Sequence, residues 1–242
     1  MKTQLIVALD NLQTHEVSSL VDELSDHGIQ WFKVGLELFV KEGPSLLKKL
    51  KSKNHKIFLD LKLFDIPNTV SQAVKAAAEY NVDLLTIHCA GGIEMMEAAS
   101  KAAEKTSLNV LGVTVLTSFD DATNAQIARA WTSQGNVATR SKTVEAFAKL
   151  AHDANLSGIV CSVPDLKMNP SLKTMFGHKG ANIVTPGIRN AGDAKNDQKN
   201  VATAKDAIHA GATHLVVGRP ILQPTNGDRR STVKQFLTEM DL

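Results

Sequence analysis

The sequence predicts a single-domain α/β fold, a closed (β/α)8 TIM barrel spanning residues 1–242. Three observations carry that expectation. Short apolar segments alternate with helical patterns, and eight such segments occur in 242 residues. Most of the eight are rich in Val, Ile and Leu on both faces, as strands covered on both sides of a parallel sheet must be. Charged residues stand at the C-terminal ends of several of them, the end of such a barrel that carries chemistry. An open doubly wound sheet is the competing architecture. It fits less well because "ALDNLQ", not a GxGxxG loop, follows the first strand. No linker, low-complexity segment or second domain interrupts the pattern.

The elements follow in order. The first strand is 5–10 "LIVALD", with a helical stretch at 14–27. The second is 29–35 "IQWFKVG", followed by a helix at 44–53. The third is 57–63 "IFLDLKL", followed by 68–80 "NTVSQAVKAAAEY". The fourth is 83–89 "DLLTIHC", followed by a helix at 92–105, and the fifth is 109–116 "NVLGVTVL". A helix at 141–155 leads into the sixth strand, 158–162 "GIVCS". The seventh is 182–186 "NIVTP". A helix at 201–210 precedes the eighth, 214–218 "HLVVG", and a last helix covers 229–240. "NVD" after Tyr80, "NLSG" after Ala154 and "AGATH" after His209 read as helix-to-strand turns. The longest polar stretches, 118–137 and 189–200, both follow strands. They are expected as loops on the catalytic face, placed to act as lids.

Composition narrows the function classes. A net charge of +2 gives no global reason to expect nucleic acid or an anionic membrane as partner. The basic run "KKLKSKNHK" (Lys48 to Lys56) reads as the solvated face and C-terminal end of a helix. Cys89 and Cys161 lie far apart without metal or redox spacing, and are expected as reduced, buried residues. Eight histidines show no ligand spacing, so no zinc site is expected. No apolar run approaches the roughly 20 residues that cross a bilayer. The start "MKTQLIVALD" has too short an apolar core for a signal peptide. A cytoplasmic protein is the simplest expectation.

The segment 58–70, "FLDLKLFDIPNTV", places Asp60, Lys62 and Asp65 in or beside an apolar run. Burying an isolated charge is expensive unless it is paired. In a barrel, side chains at the C-terminal strand ends converge on one pocket. Asp10 ends the first strand, Lys33 lies near the end of the second, and Asp60 and Lys62 lie near the end of the third. Their spacing of two puts Asp60 and Lys62 on one face. If that face is the interior, alternating carboxylates and ammoniums offset one another's burial. A purely structural ion-pair plug is the alternative, but apolar residues would fill that space at lower cost. A second cluster is "TPGIRN" (185–190) with "VVGRP" (216–220), after the seventh and eighth strands, where such barrels often bind phosphate. Pro186, Gly187, Arg189, Gly218 and Arg219 are the candidates. A short helix near Pro220 would add its positive end. Turn glycines and solvated arginines are the alternative. Asp10, Asp60 and Asp65 could hold Mg²⁺, but two lysines compete for the same carboxylates, so no metal is expected. His88 reads as a hydrogen-bonding residue. Thr117, Ser118 and Ser162 are donors to a substrate ring, or turn and helix caps.

These motifs resemble the orotidine 5′-phosphate decarboxylase family. The resemblance runs through "VALD" (7–10), "FKVGLELF" (32–39), "FLDLKLFDIPNTV", "TIHCAGG" (86–92), "VTVLTS" (113–118), "VTPGIR" (184–189), "DQ" (197–198) and "VVGRPI" (216–221). It implies a homodimer of barrels that decarboxylates orotidine 5′-phosphate to UMP without metal or organic cofactor. It further implies that Asp10 and Lys33 bind the ribose, with Lys33 also in the charge chain. Asp60 would face the substrate carboxylate and Lys62 would donate the proton. Asp65, Ile66 and Thr69 would reach into the partner's site. Thr117 and Ser162 would contact the pyrimidine, and Gln198 would bridge base and phosphate. Arg189, Gly218 and Arg219 would hold the phosphate, with Pro186 in the same wall. The Asp-x-Lys-x-x-Asp core alone is also found in 3-keto-L-gulonate 6-phosphate decarboxylase and hexulose-phosphate synthase. Two alternatives therefore stand: a Mg²⁺-dependent sugar-phosphate decarboxylase, aldolase or epimerase, and a barrel that binds nucleotide phosphate without turnover.

Overall fold

All eight apolar segments form parallel strands, which close in sequence order with β1 beside β8. The computed structural model describes residues 2–131, 138–177, 180–190, 200–225 and 227–240. The strands are β1 Gln4–Ala8, β2 Trp31–Gly35, β3 Lys56–Leu63, β4 Leu84–His88, β5 Asn109–Val113, β6 Gly158–Val160, β7 Asn182–Thr185 and β8 His214–Val217. Alternation along each strand divides the core in two. Ile6, Phe58, Leu84, Leu111, Val160, Val184 and Val216 fill the barrel interior. Their neighbours Val7, Leu59, Leu85, Val110, Ile159, Ile183 and Leu215 face the helices.

The helices are α1 Thr14–Asp26, α2 Leu36–Glu42, α3 Pro44–Ser52, α4 Pro67–Glu79, α5 Ile93–Ala103, α6 Asp121–Trp131, α7 Arg140–Asp153, α8 Val163–Met168, α9 Ser171–Met175, α10 Ala204–Ala210, α11 Arg219–Leu222 and α12 Arg229–Met240. In α1, Val17, Leu20, Val21 and Leu24 make the buried stripe. In α4, Pro67 opens the helix and Val70, Val74 and Ala77 turn inward. The three expected helix-to-strand turns rest on left-handed residues: Asn81 (φ 56°), Asn155 (φ 56°) and Gly211 (φ 104°). The basic run around α3 is tied to acids. Lys51 and Lys56 pair with Asp83, and Lys53 pairs with Asp22.

Four helices depart from the sequence reading. The stretch 118–137, expected as a loop, contains α6. Its start is fixed by Asp120, whose Oδ1 accepts from Thr123 N at 2.8 Å and from Thr123 Oγ1 at 2.8 Å. The helices α2, α8 and α9 were not anticipated either, being too short to show a 3.6-residue period. Most of 189–200, including Gln198, lies outside the described residues.

The helix α8 opens on a buried polar network. Ser162 is its N-cap. Asp165 Oδ2 accepts from Ser162 N at 2.9 Å and from Ser162 Oγ at 2.6 Å. Arg140, at the start of α7, grips the same carboxylate with both terminal nitrogens. Replacing Ser162 by Ala should remove this cap and lower unfolding stability by about 1 kcal/mol, read from urea denaturation. An unchanged midpoint would show that the cap contributes nothing.

At the opposite end of the barrel His214 is buried, edge-on to Trp31 at 5.3 Å, with Nδ1 2.9 Å from Thr213 Oγ1. Burial pushes its pKa down to about 4. The unfolded chain takes up this proton near pH 6.5. The folded chain does so only near pH 4, so stability falls as pH drops through that window and levels off below it. The full loss from this group is on the order of 3 kcal/mol. Denaturation midpoints measured between pH 7 and 4 should fall less steeply in His214→Gln. Parallel curves for the two proteins would remove His214 from the acid response.

Candidate active site

A cavity of about 500 Å³ opens at the C-terminal ends of the strands. Ala8, Phe58, Val113, Val160 and Val216 form its apolar floor. Asp10, Asn11, Lys33, Asp60, Lys62, Thr117, Arg189 and Arg219 ring the wall above, with Pro186 and Gly218 among them. Residues within β2 and β3 and others that follow β1, β5, β7 and β8 therefore meet at one place, as barrel closure requires.

One side of the wall is an ion-pair chain. Lys33, in the middle of β2, donates to Asp10 Oδ1 at 2.9 Å and stands 3.6 Å from Asp60 Oδ2. Lys62 Nζ donates to Asp60 Oδ1 at 2.8 Å. Thr86 Oγ1 donates to the same oxygen at 3.0 Å. Burial by itself would raise the Asp60 carboxyl. The Lys33 and Lys62 ammoniums, with hydrogen bonds from Lys62 and Thr86, outweigh it and hold the group below the usual carboxylate range. Asp60 is thus ionised at neutral pH, with a cation on each side.

The backbone under Lys62 is unusual. Lys62 has φ +48°, a left-handed conformation that residues with a Cβ seldom adopt. The β3–β4 register also slips here: the stretch Leu59 to Leu63 opposes only Leu85 to Ile87. Lys62 N leaves the strand ladder and donates to Thr86 Oγ1 at 2.9 Å. Gly35 gives the chain of charges its room. A Cβ there would stand 2.7 Å from Asp10 Oδ1 and 2.9 Å from Lys33 Nζ.

The other side of the wall is cationic. Arg189 is buried at 5 % exposure and donates to Ile188 O at 3.1 Å. Arg219 begins α11, the short helix expected near Pro220. Gly187, at φ +80°, turns the chain after β7, and a bridge between Ile188 and Ala202 ties that loop down. Asn200 links it to the loop after β5, its Nδ2 donating to Thr117 O at 2.8 Å and Phe119 O at 3.3 Å.

Not every candidate reaches the cavity. The Ser162 side chain is fully buried and committed to Asp165, and only its neighbours Val160 and Cys161 line the cavity. Its hydroxyl caps the first turn of α8, one of the two roles that the sequence left open. Asp65, Ile66 and Thr69 are exposed, outside the cavity wall. Among the described residues, the Asp65 carboxylate accepts only from Ile66 N, at 2.7 Å. It does not join the ion-pair chain around Lys62. His88 accepts from Ala90 N at 3.3 Å through Nδ1 and stacks on Phe64, as a hydrogen-bonding residue would. Gln198 lies outside the described residues. Thr86, Gly35, Asn11 and Asn200 were missed. Asn11, at φ 57° directly after Asp10, carried a turn signal; a threonine inside an apolar strand carried none.

Residues 3–236 match the family described as Orotidine 5′-phosphate decarboxylase / HUMPS family. The chain is similar to the orotidine 5′-phosphate decarboxylase of Carboxydothermus hydrogenoformans, with 40 % identity over 247 aligned positions covering 100 % of this chain and 97 % of that protein. It is 42 % identical over 230 positions to the protein of the same name from Staphylococcus aureus strain Newman, covering 93 % of this chain and 94 % of that one. The crystal structure of orotidine 5′-phosphate decarboxylase from Lactobacillus acidophilus superposes with a TM-score of 0.80 at 30 % identity, over 99 % of this chain and 100 % of that one. With the barrel, the charge chain and the two arginines already in place, these likenesses fix the kinship: the chain belongs to the orotidine 5′-phosphate decarboxylase / HUMPS family.

Proposed function

We propose that residues 1–242 act as one catalytic domain that converts orotidine 5′-phosphate to UMP and CO2, the decarboxylation step of pyrimidine biosynthesis. The observation that carries this reading is Lys62 Nζ held 2.8 Å from an ionised, buried Asp60, in the same cavity as Arg189 and Arg219. Breaking the C6–carboxylate bond leaves an electron pair in an sp² orbital that the ring π system cannot delocalise. A fixed cation beside C6 stabilises that pair. Lys62 supplies the cation and then transfers a proton to C6 in place of the departing CO2. Solvent restores the proton afterwards. Asp60 orients Lys62 and keeps it charged, and its own charge faces the substrate carboxylate. Lys33 and Asp10 take the ribose hydroxyls. Thr117 lies where the pyrimidine would sit. Pro186, Arg189, Gly218 and Arg219 receive the phosphate, remote from the bond that breaks, so that its binding energy can favour closure over the site. Gln198 is assigned to base and phosphate by the family resemblance alone. Ser162 is likewise assigned to the pyrimidine by the family resemblance alone, its hydroxyl being bonded to Asp165 in this structure.

The reaction is proposed to need no metal or organic cofactor. The donor set supports this: the carboxylates of Asp10 and Asp60 are already held by lysine ammoniums. The Mg²⁺-dependent sugar-phosphate reactions are less well served by such a site. The two free cysteines are buried, and burial pushes the Cys89 thiol up to about 12. Such unreactive thiols suit the reducing cytoplasm, where we place the protein.

A homodimer with shared sites is proposed on two grounds. Large apolar side chains are exposed after β2 and β3: Leu36, Val40, Phe64 and Ile66. The Asp65 carboxylate stands beside them without serving its own Lys62. A second copy docked on this edge would cover the apolar groups and carry Asp65, Ile66 and Thr69 toward the partner's Lys62, reciprocally under two-fold symmetry.

The activity is tested by the absorbance loss of orotidine 5′-phosphate with and without EDTA. Turnover should be undiminished by the chelator. Lys62→Ala should reduce it by at least about 10³-fold while UMP still binds. Wild-type turnover in the variant would take Lys62 out of the mechanism, and loss of activity in EDTA would overturn the metal-free reading.

The shared site is tested by mixing inactive Lys62→Ala and Asp65→Ala chains under conditions of subunit exchange. Half of randomly formed dimers are mixed, each with one intact site, so roughly a quarter of all sites should recover. No recovery despite demonstrated exchange would show that Asp65 serves its own subunit.

A further inference from the structure

We propose that Thr86 is the positioning residue for Lys62, one hydroxyl oxygen fixing both the lysine backbone and the rotation of its partner Asp60. The inference rests on the decarboxylase reading above and adds a residue that the reading does not contain. Thr86 lies in the middle of β4, is wholly buried and does not line the cavity. A threonine there has to satisfy its hydroxyl inside the protein. It does so twice, and both partners belong to the charge chain. Its oxygen accepts from Lys62 N at 2.9 Å and donates to Asp60 Oδ1 at 3.0 Å. The directions are forced. An amide can only donate and an ionised carboxylate can only accept, so the hydroxyl proton points at Asp60 and a lone pair points at Lys62.

Two features of β3 explain why a side chain is needed at this point. The register slip between Leu59 and Leu63 removes the backbone acceptor that a regular ladder would offer Lys62. The left-handed Lys62, at φ +48°, carries a conformational cost that its surroundings must hold in place. Thr86 supplies the missing acceptor. The lysine is then held at both ends, at its backbone N by Thr86 and at Nζ by Asp60 Oδ1, 2.8 Å away. Asp60 in turn cannot rotate freely: Oδ1 takes Lys62 and Thr86 while Oδ2 faces Lys33 at 3.6 Å. Thr86 touches no reacting atom. It acts by setting where the ammonium stands, and a displacement of about 1 Å at a reacting group can cost on the order of 100-fold in rate.

Thr86→Val keeps the shape and deletes the hydroxyl, whereas Thr86→Ser keeps the hydroxyl and deletes a methyl. On orotidine 5′-phosphate, Thr86→Val should lower kcat by at least about tenfold with KM changed by less than about threefold, and Thr86→Ser should return kcat to within about threefold of the unaltered protein. A merely structural threonine would show the opposite order or a common loss. The proposal is overturned if Thr86→Val loses less than tenfold in kcat, if KM rises in step, or if Thr86→Ser is as slow as Thr86→Val. Should Thr86→Val fail to fold by circular dichroism, Thr86→Cys, close in size to serine and a weak hydrogen-bonding group, takes its place under the same criteria. Absence of turnover in the unaltered protein would instead overturn the functional reading and this inference with it.

Discussion

A carboxylate buried at the mouth of a barrel is tolerable only when cations stand against it, and Asp60 has two. Lys33 and Lys62 approach it from either side, on neighbouring strands and on its own. Each ammonium offsets the desolvation of the acid, and Asp10 in turn engages Lys33. Removing Asp60 would leave Lys62 without its carboxylate and Lys33 with Asp10 alone. The arrangement constrains the backbone around it. A side chain at Gly35 would displace Asp10 Oδ1 and Lys33 Nζ from their present places. The strand β3 slips register around Lys62, and β4 offers a hydroxyl where the ladder fails.

The barrel separates its two ends by chemistry. At the N-terminal end, Trp31 and a neutral His214 pack edge to face and close the floor. At the C-terminal end the same strands deliver charge. Between them lies a layer of Ile, Leu, Val and Phe. That apolar layer lowers the local dielectric beneath the ion pairs and strengthens them. The buried Arg140–Asp165 pair belongs to neither end. It joins the start of α7 to the start of α8 and steadies the wall that carries Val160 and Cys161.

The loops over the cavity are joined across the barrel. Asn200 binds two carbonyls of the loop after β5, and the Ile188–Ala202 bridge anchors the loop after β7. Thr117 is therefore placed by its own backbone and by a residue more than eighty positions away. The arm from Asp65 to Thr69 is different. It is stiffened by Pro67, exposed, and flanked by apolar side chains that this chain leaves uncovered.

Much of this was written in local patterns. Eight apolar runs separated by helices announced the barrel, because strands covered on both faces need continuous Val, Ile and Leu. Asn81, Asn155 and Gly211 marked turns because those residues tolerate positive φ. Asp10, Lys33, Asp60 and Lys62 declared themselves because charge inside an apolar strand is costly without a partner. The tertiary structure decided what those patterns could not encode. Ser162 read as a ring donor or a cap, and the folded chain shows its hydroxyl on Asp165 three residues on. The helix α6 hid in a polar stretch, as its fixing interactions are a cap at Asp120 and long-range bonds of Asn124 to Ala138 and Thr143. Thr86 was illegible because its importance arises from a register slip in a different strand. A hydrogen bond between strands exists only once both are placed, and no spacing within either one records it.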